Sequence, residues 1–213
     1  MPDTGQRLRS ALVDVVAREV RCARVLDVMR EMPRHLFVPE HSIEDAYADH
    51  PLPIGHDVTI SQPTIVGMMS AALALDGEER ILEIGTGSGY QAAVLSKLAR
   101  HVDTVEVVPE LAARARTMLA HLGIRNVDVW QGDGWDGLPA RAPFDRIVVT
   151  AAPDRLPAAL CDQLVDGGLL VVPVGLQFED QRLERHQRRG ERLVREDLGA
   201  VRFVPMVHGR VSG

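Results

Sequence analysis

Residues 80–89 read R-I-L-E-I-G-T-G-S-G, and this stretch decides the fold of the chain. The apolar residues 81–84 predict a short buried strand, and a helical pattern follows the glycines. Gly85, Gly87 and Gly89 tolerate positive φ and let a ligand approach the bare backbone. A strand, a glycine-rich elbow and a helix in this order indicate an α/β protein that binds a nucleotide or a charged cofactor. The spacing G-x-G-x-G is one residue shorter than the dinucleotide fingerprint, which argues against an NAD-dependent dehydrogenase.

Strands and helices alternate along most of the chain. Strands are predicted at 80–84, 102–108, 127–131, 145–151 and 169–174, and helices at 63–75, 89–99, 110–122 and 156–165. This alternation predicts a doubly wound, mainly parallel sheet with helices on both faces. A hairpin of 182–187 and 192–196, followed by a last strand at 201–207, predicts an antiparallel C-terminal edge.

The first 62 residues have a different pattern. Apolar residues at helical spacing between 6 and 32 predict one or two amphipathic helices. Residues 33–62 are proline-rich and irregular, yet they contain apolar residues that predict packing against the rest of the protein. We therefore expect a single domain over residues 1–213, with an N-terminal helical and lid segment at about 1–62.

The composition argues against several classes of protein. A formal net charge of −6 and a pI near 5.7 disfavour a nucleic-acid binder or a protein of anionic membranes. Cys22 and Cys161 are far apart in the sequence, so two reduced thiols are expected. The first nine residues lack the apolar run of a secretory signal, and no window approaches 18 apolar residues. These features predict a cytoplasmic protein that binds neither nucleic acid nor membrane.

Three acidic residues stand where nucleotide-binding proteins use carboxylates. Glu83 precedes the elbow and can face the ammonium group of a cofactor; the plain alternative is a surface acid. Glu106, 21 residues after Gly85, is placed to accept both hydroxyls of a ribose, unless it is a solvent-facing acid at a strand end. Asp133, in Q-G-D-G after the third strand, is placed to accept the exocyclic amine of adenine, although D-G is also a common turn.

Residues 58–63, V-T-I-S-Q-P, join the irregular segment to a helix that begins at Pro63. Ser61 has two interpretations here. It either caps the helix N-terminus, or it positions a substrate carboxylate beside the amide donors of the same helix. The four histidines between residues 35 and 56 match no metal-binding spacing, so no metal site is predicted.

Five motifs, taken in order, closely resemble the protein-L-isoaspartate O-methyltransferases. They are L-P-I-G-H-D-V-T-I-S-Q-P, I-L-E-I-G-T-G-S-G-Y-Q-A-A-V-L, G-D-G, F-D-R-I-V-V-T-A-A-P and D-G-G-L-L-V-V-P-V-G, and the likeness covers the chain from about Arg34 to V-R-F-V-P-M-V. T-I-S-Q-P followed by G-T-G-S-G-Y is specific to that family, whereas the elbow alone indicates only a class I methyltransferase. The resemblance implies a class I methyltransferase-like, seven-stranded sheet. It also implies S-adenosylmethionine as methyl donor, with S-adenosylhomocysteine as product.

The resemblance further implies the reaction. The acceptor is the free carboxylate of L-isoaspartyl residues, and also of D-aspartyl residues, in damaged proteins and peptides, and methylation starts repair through a succinimide. An aspartate O-methyltransferase that acts on a dedicated peptide substrate is the alternative enzyme, and the ordinary length of the chain favours repair. A cofactor-loaded binding protein without catalysis is the non-enzymatic alternative. We expect a monomer whose partners are isoaspartyl-containing proteins and peptides.

Matched motif to motif, the resemblance gives Ser61 the place of the family's active-site serine. The implied cofactor contacts are Thr59, Ile60, Glu83, Gly85, Thr86, Gly87, Gly89, Glu106, Gly132 and Asp133. The implied substrate contacts are Ile54, Ser61, Val204 and Pro205, the last two in the segment with which the family lines its peptide cleft.

Overall fold

The computed structural model describes residues 4–177 and 180–209, which form an α/β fold. Its strands are β1 (Leu52–Gly55), β2 (Val58–Ile60), β3 (Arg80–Ile84), β4 (His101–Glu106), β5 (Val127–Gln131), β6 (Phe144–Val149), β7 (Leu164–Val174), β8 (Gln181–Arg189) and β9 (Arg192–Val201). Its α-helices are α1 (Thr4–Val16), α2 (Ala23–Glu31), α3 (Ile43–Ala46), α4 (Pro63–Ala72), α5 (Tyr90–Ser96), α6 (Pro109–His121) and α7 (Ala158–Asp162). Single turns of 3-10 helix lie at Arg34–Phe37, Gly134–Asp136 and Pro139–Arg141.

The strands from β3 to β9 form one sheet in the order β5-β4-β3-β6-β7-β8-β9, seven strands in the described part of the chain. The strands from β3 to β7 run parallel to their neighbours, while β8 and β9 add an antiparallel edge. The predicted fold class is therefore confirmed. The strand order reverses between β3 and β6, and α/β proteins bind ligands in the crevice outside the carboxyl ends of the strands at such a switch point.

The central strands are buried on both faces of the sheet, as their nearly continuous apolar runs predict. On one face, Ile81 of β3 packs with Met69 of α4 and Leu95 of α5. On the other face, Ile147 of β6 packs with Leu160 of α7. Helices on both faces hold the sheet rigid, so the loops at its carboxyl edge have a fixed platform.

The N-terminal region contains two helices, α1 and α2, as the periodicity predicts, and their apolar faces share one cluster with residues of α4 and α5. The prediction of an irregular segment at 33–62 is only partly right, because this segment contains α3 and the antiparallel β1–β2 hairpin. The hairpin turns at His56 and Asp57, whose φ values are 55° and 57°. Two successive positive φ values are typical of a type I′ turn. Strands of four and three residues are too short for an alternating pattern to be recognised in the sequence.

The strand predicted at 201–207 is wrong. β9 extends to Val201 and pairs with β8 along its length, so the chain leaves the sheet there. Of the residues that follow, Pro205 forms an isolated parallel bridge with Ala152, just beyond β6. The segment therefore crosses over the carboxyl edge of the sheet, where it forms a wall instead of a strand.

The boundaries near α7 also differ from the prediction. The helix expected at 156–165 is limited to the five residues of α7, and the strand expected at 169–174 already begins at Leu164. The register between β6 and β7 shifts between Phe144 and Arg146. Because of this irregularity, the start of β7 does not show the regular pattern from which a strand is predicted. Within residues 4–177 and 180–209, no helix is long and apolar enough to cross a membrane.

Candidate active site

A large cavity, called here the central cavity, lies at the carboxyl edge of the sheet and has a volume of about 1240 Å³. Its lining includes the elbow residues 85–88, the end of β4, and residues 150–151 just beyond β6. Residues 56–62 form one part of its wall, and residues 201–207 form another. Ligand pockets commonly measure ~300–1,000 Å³. The central cavity therefore has room for a nucleoside cofactor and for part of a second molecule.

The elbow can be built only from glycine at its first position. Gly85 has φ +94°, and a Cβ on it would lie 2.4 Å from Oγ1 of Thr150. That hydroxyl donates hydrogen bonds to the carbonyl oxygens of Ile84 and Gly85 at 3.0 and 2.6 Å, which ties the elbow to the end of β6. Gly87 and Gly89 also have positive φ, of 52° and 87°. The turn thus presents bare backbone to the central cavity.

Glu106 stands at the end of β4 and lines the central cavity. One carboxylate oxygen accepts a hydrogen bond from the Gly87 amide at 2.7 Å, and the other accepts one from the Val108 amide at 3.0 Å. An ionised carboxylate has about four acceptor positions. Glu106 therefore holds the elbow in place and still has lone pairs for ligand hydroxyls, as the ribose interpretation requires.

Glu83 is not a surface acid, since its side chain is fully buried beneath the elbow. Neither carboxyl oxygen has a hydrogen-bond partner among the described residues. Burial raises the pKa of Glu83 from 4.5 to about 8, and the Glu106 carboxylate adds to this rise. The nearby Thr104 hydroxyl lowers the pKa of Glu83 and so opposes this rise. That hydroxyl is itself hydrogen-bonded to the Thr86 hydroxyl at 2.7 Å. A neutral Glu83 is therefore favoured at pH 7.

Ser61 lines the central cavity, and it does not cap α4. The residue at the N-cap position is Gln62, and the cap itself is Asp49, which the sequence analysis missed. Asp49 accepts hydrogen bonds from the Thr64 amide and hydroxyl, both at 2.8 Å, and from the Gln62 side chain at 2.9 Å. Within the described residues, the Ser61 hydroxyl forms no hydrogen bond and remains available to a ligand. No local pattern predicts a cap supplied from outside the helix sequence.

Arg34 connects the segment 33–62 to the start of α5. It is fully buried, its Nε donates to the carbonyl oxygen of Ala46 at 2.9 Å, and its guanidinium lies 5.1 Å from the centre of the Tyr90 ring. Burial lowers the pKa of Arg34 to about 10, and the charges of Tyr90 and Asp49 oppose this change. The group therefore stays cationic at neutral pH. Because Tyr90 begins α5 and lines the central cavity, this contact holds the segment 33–62 beside the cavity.

Several residues implied by the resemblance do not line the central cavity. Ile54 is buried beneath the elbow, with its Cδ1 3.6 Å from the position of a Cβ on Gly87. Gly89 packs against α6, and Gly132 lies beside β4. Thr59, Ile60, Thr86, Val204 and Pro205 do line it.

Asp133 holds the C-terminal segment. Its Oδ1 accepts a hydrogen bond from the Trp135 amide at 2.9 Å, and its Oδ2 accepts one from the Gly209 amide at 2.9 Å. His208 is hydrogen-bonded to the same Oδ2 at 3.2 Å and stacks on the Trp135 ring. If Asp133 contacts adenine as expected, the same carboxylate would bind the base and hold the C-terminal segment in place.

One group of possible metal ligands lies at the other end of the sheet. Side-chain atoms of His101, Asp103 and Asp128 fall within 4.8 Å of one another. Arg141 lies 3.3 Å from Asp103 and 3.5 Å from Asp128, and Arg80 lies 3.7 Å from Asp103. Two guanidinium groups already neutralise these carboxylates, and a divalent cation would be repelled by both. The arrangement is best described as an ion-pair network.

Comparisons with known proteins bear on this site. The family model described as Protein-L-isoaspartate(D-aspartate) O-methyltransferase matches residues 8–211. A Gloeobacter violaceus protein named protein-L-isoaspartate O-methyltransferase is 53% identical over 189 residues, which cover 89% of this chain and 92% of that protein. A protein of the same name from Pseudomonas syringae pv. tomato is 48% identical over 211 residues, covering 98% of this chain and 100% of that protein.

Two solved structures are similar over nearly the whole chain. One, titled protein-L-isoaspartate O-methyltransferase, superposes with a TM-score of 0.87 at 29% identity, covering 94% of this chain and 66% of the other. This chain thus spans about two thirds of that protein's length. A Plasmodium falciparum protein crystallised in complex with S-adenosyl-L-homocysteine superposes with a TM-score of 0.82 at 22% identity, covering 93% of this chain and 98% of the other. The second likeness supports the fold.

Proposed function

This chain belongs to the protein-L-isoaspartate(D-aspartate) O-methyltransferase family, and we propose that the central cavity is where it carries out methyl transfer. The protein is an S-adenosylmethionine-dependent methyltransferase that acts on the free carboxylate of L-isoaspartyl residues. D-aspartyl residues are the second acceptor in this proposal. One observation carries the assignment to the central cavity. The elbow, Glu106 and Ser61 lie far apart in the sequence and line the same space.

The residues of the central cavity suit S-adenosylmethionine. A ribose offers two neighbouring hydroxyls, and Glu106 has free acceptor capacity beside the elbow. The amino-acid end of the cofactor needs close approach to backbone, which an elbow of glycines permits. At Gly85 glycine is also required by packing, because a Cβ there would collide with Thr150. The buried acid Glu83 stands on β3, two residues before Gly85, and its carboxyl group can pair with the ammonium group of the cofactor.

When bound, S-adenosylmethionine supplies a methyl group on a sulfonium sulfur, which the substrate carboxylate accepts as its methyl ester. The residues of this chain contribute by positioning the substrate carboxylate and the peptide that carries it. Ser61 donates a hydrogen bond to one oxygen of the substrate carboxylate and leaves the other oxygen free to react. Val204 and Pro205, which also line the cavity, support the peptide. Alignment of reacting groups in this manner can contribute ~7–11 kcal/mol.

The reaction needs no strong general base. A carboxyl group with an ordinary pKa of ~3.9 is already ionised at neutral pH. Ser61 therefore orients the nucleophile and does not have to remove a proton. Because Asp49 already takes the Thr64 amide of α4, we propose that the serine hydroxyl, and not this helix amide, holds the substrate.

The ester then reacts outside the cavity. The backbone amide nitrogen of the following residue attacks the ester carbonyl, methanol departs, and a succinimide forms. Water opens the succinimide at either carbonyl, so part of the product is ordinary aspartate. Methylation in this way starts repair of the damaged chain.

Labelled S-adenosylmethionine and two matched peptides test the proposal. The peptides have one sequence and differ only in carrying isoaspartate or aspartate. Base-labile methanol released from the isoaspartyl peptide alone supports repair. Release from the aspartyl peptide would instead indicate a dedicated peptide methyltransferase. Absence of release from both, with intact protein, would contradict the enzymatic assignment.

A further inference from the structure

Glu83 is a buried titratable group that methyl transfer itself does not use. It lies on β3, opposite Thr104 of β4, and its side chain points to the same face of the sheet as Ile81, which α4 and α5 cover. Its side chain is 0% exposed, and neither carboxyl oxygen has a hydrogen-bond partner in residues 4–177 and 180–209. Leaving such a group without a partner is costly unless a ligand completes the site.

Among the described residues, the surroundings of Glu83 contain one other charge. Neither α4 nor α5 carries a charged side chain above it. From β4 it faces the Thr104 hydroxyl and the Glu106 carboxylate, and Glu106 has two backbone amides as donors. Burial and this like charge both disfavour ionisation of Glu83, and they account for its pKa of about 8. No described residue offers it a cation.

A hydrogen-bonded pair of hydroxyls lies between Glu83 and the central cavity. Thr104 neighbours the carboxyl group, and its hydroxyl bonds to that of Thr86, which lines the cavity. An ammonium group bound at the elbow would therefore lie close to Glu83 across a poorly solvated layer. A positive charge in such a place favours the ionised form of a neighbouring acid.

We propose that Glu83 gives up its proton to the solvent when the ammonium group of the cofactor binds at the elbow. Cofactor binding is then coupled to the release of a proton, and the resulting carboxylate anchors the amino-acid end of the ligand. The ammonium group keeps its own proton, so the only change in protonation is from the carboxylic acid to the buffer. This inference rests on the proposed function, since it requires S-adenosylmethionine or its product in the central cavity.

The number of protons released on cofactor binding, and its effect on affinity, follow from the pKa of Glu83. With a pKa of about 8, about nine tenths of Glu83 is protonated at pH 7, so binding should release close to one proton. Affinity should rise about tenfold per pH unit below pH 8 and level off above it, because the proton must be removed only where Glu83 still holds it.

Calorimetry with S-adenosylhomocysteine in phosphate and in Tris at pH 7 measures the release directly. The two buffers differ in their heat of ionisation, so a released proton makes the observed binding enthalpy differ between them. The matched ligand 5′-methylthioadenosine lacks the amino-acid portion and should bind with little or no release. Equal release with both ligands would overturn the role of the ammonium group.

Two variants complete the test. Glu83→Gln keeps the shape of the side chain but cannot titrate, and it should bind S-adenosylhomocysteine with no proton release and a flat pH profile. His56→Gln removes a titratable group that lines the central cavity, and it should keep the release. If His56→Gln abolishes the release, or if the native protein binds without releasing a proton, the inference is wrong while the proposed function stands. If neither ligand binds the native protein, the cofactor assignment itself fails. Should Glu83→Gln not fold, the native protein with the two ligands still decides the question.

Discussion

Replacing Gly85 with alanine is expected to destabilise the protein and to weaken its binding of S-adenosylhomocysteine. The φ of Gly85 is +94°, in the left-handed region where a side chain costs ~1–2 kcal/mol. An added Cβ would lie 2.4 Å from Thr150 Oγ1, against 3.4 Å for ordinary contact, so one of the two must move by about 1 Å. Thr150 cannot turn away freely, because its hydroxyl bonds to the carbonyl oxygens of Ile84 and Gly85.

Crowding of a well-packed site costs ~1–3 kcal/mol, so the total loss in unfolding free energy should be ~2–5 kcal/mol. Gly123→Ala is a matched control. Its φ is +67°, and apart from its two chain neighbours no described residue has an atom within 4 Å of an added Cβ, so it should show the backbone strain alone. An elbow displaced by about 1 Å presents different amides to the cofactor. The Kd of Gly85→Ala for S-adenosylhomocysteine should therefore rise at least ~tenfold, or 1.4 kcal/mol.

Urea unfolding measures the loss in stability, and calorimetry measures the loss in affinity. The double variant Gly85→Ala/Thr150→Ala lacks the crowding hydroxyl and should recover part of both losses. The reasoning is refuted if Gly85→Ala unfolds no more easily than Gly123→Ala and binds S-adenosylhomocysteine as the native protein does. That result would mean that neither close packing nor cofactor binding requires glycine at this position.

Four further predictions concern single side chains. Ser61→Ala should slow methyl transfer by roughly 10–100-fold, the value of one hydrogen bond to a charged group, with nearly unchanged affinity for S-adenosylhomocysteine; an unchanged initial rate would remove Ser61 from the site. Glu106→Gln should raise the Kd for S-adenosylhomocysteine at least ~tenfold by calorimetry, and equal affinity would exclude the ribose contact. Asp49→Ala removes the cap of α4 and should lower the unfolding free energy by ~1–2 kcal/mol in urea; no loss would show that the cap is dispensable. Burial raises the pKa of Glu83 from 4.5 to about 8, so the unfolded chain loses this proton first and the unfolding free energy should fall between those pH values. Glu83→Gln should remove up to about 5 kcal/mol of that decline, and parallel stability profiles of the variant and the native protein would contradict the shift.

The sequence located the centre of the sheet accurately. The bounds of β3 and β5 match the predicted strands at 80–84 and 127–131, and the elbow after β3 has the positive φ values that its glycines predict. These features are local. A strand buried on both faces is a continuous apolar run, and a left-handed turn needs glycine whatever surrounds it. The position of Glu106 beside the elbow also followed from spacing, since the end of β4 lies beside the end of β3 in a parallel pair; its role toward a ribose stays a prediction.

Other features depend on where distant segments meet. The cap of α4 comes from Asp49, which lies outside the helix sequence, and the 201–207 segment crosses the carboxyl edge instead of pairing in the sheet. The β1–β2 hairpin is too short to leave a periodic signal. The cap and the crossing segment depend on long-range packing, which no local pattern records.

The amino-acid sequence by itself determined the alternation of strands and helices and the glycine elbow, because both follow from the preferences of neighbouring residues. It also determined the family that the motifs resemble, because those motifs are continuous stretches of sequence. Only the tertiary structure decided that Glu83 is a buried acid without a hydrogen-bond partner among the described residues, and that the Ser61 hydroxyl is free of those residues while Asp49 is not. The protonation state of an acid depends on the water and charge around it, and a hydroxyl is available only when no folded neighbour binds it. Both properties belong to the assembled site.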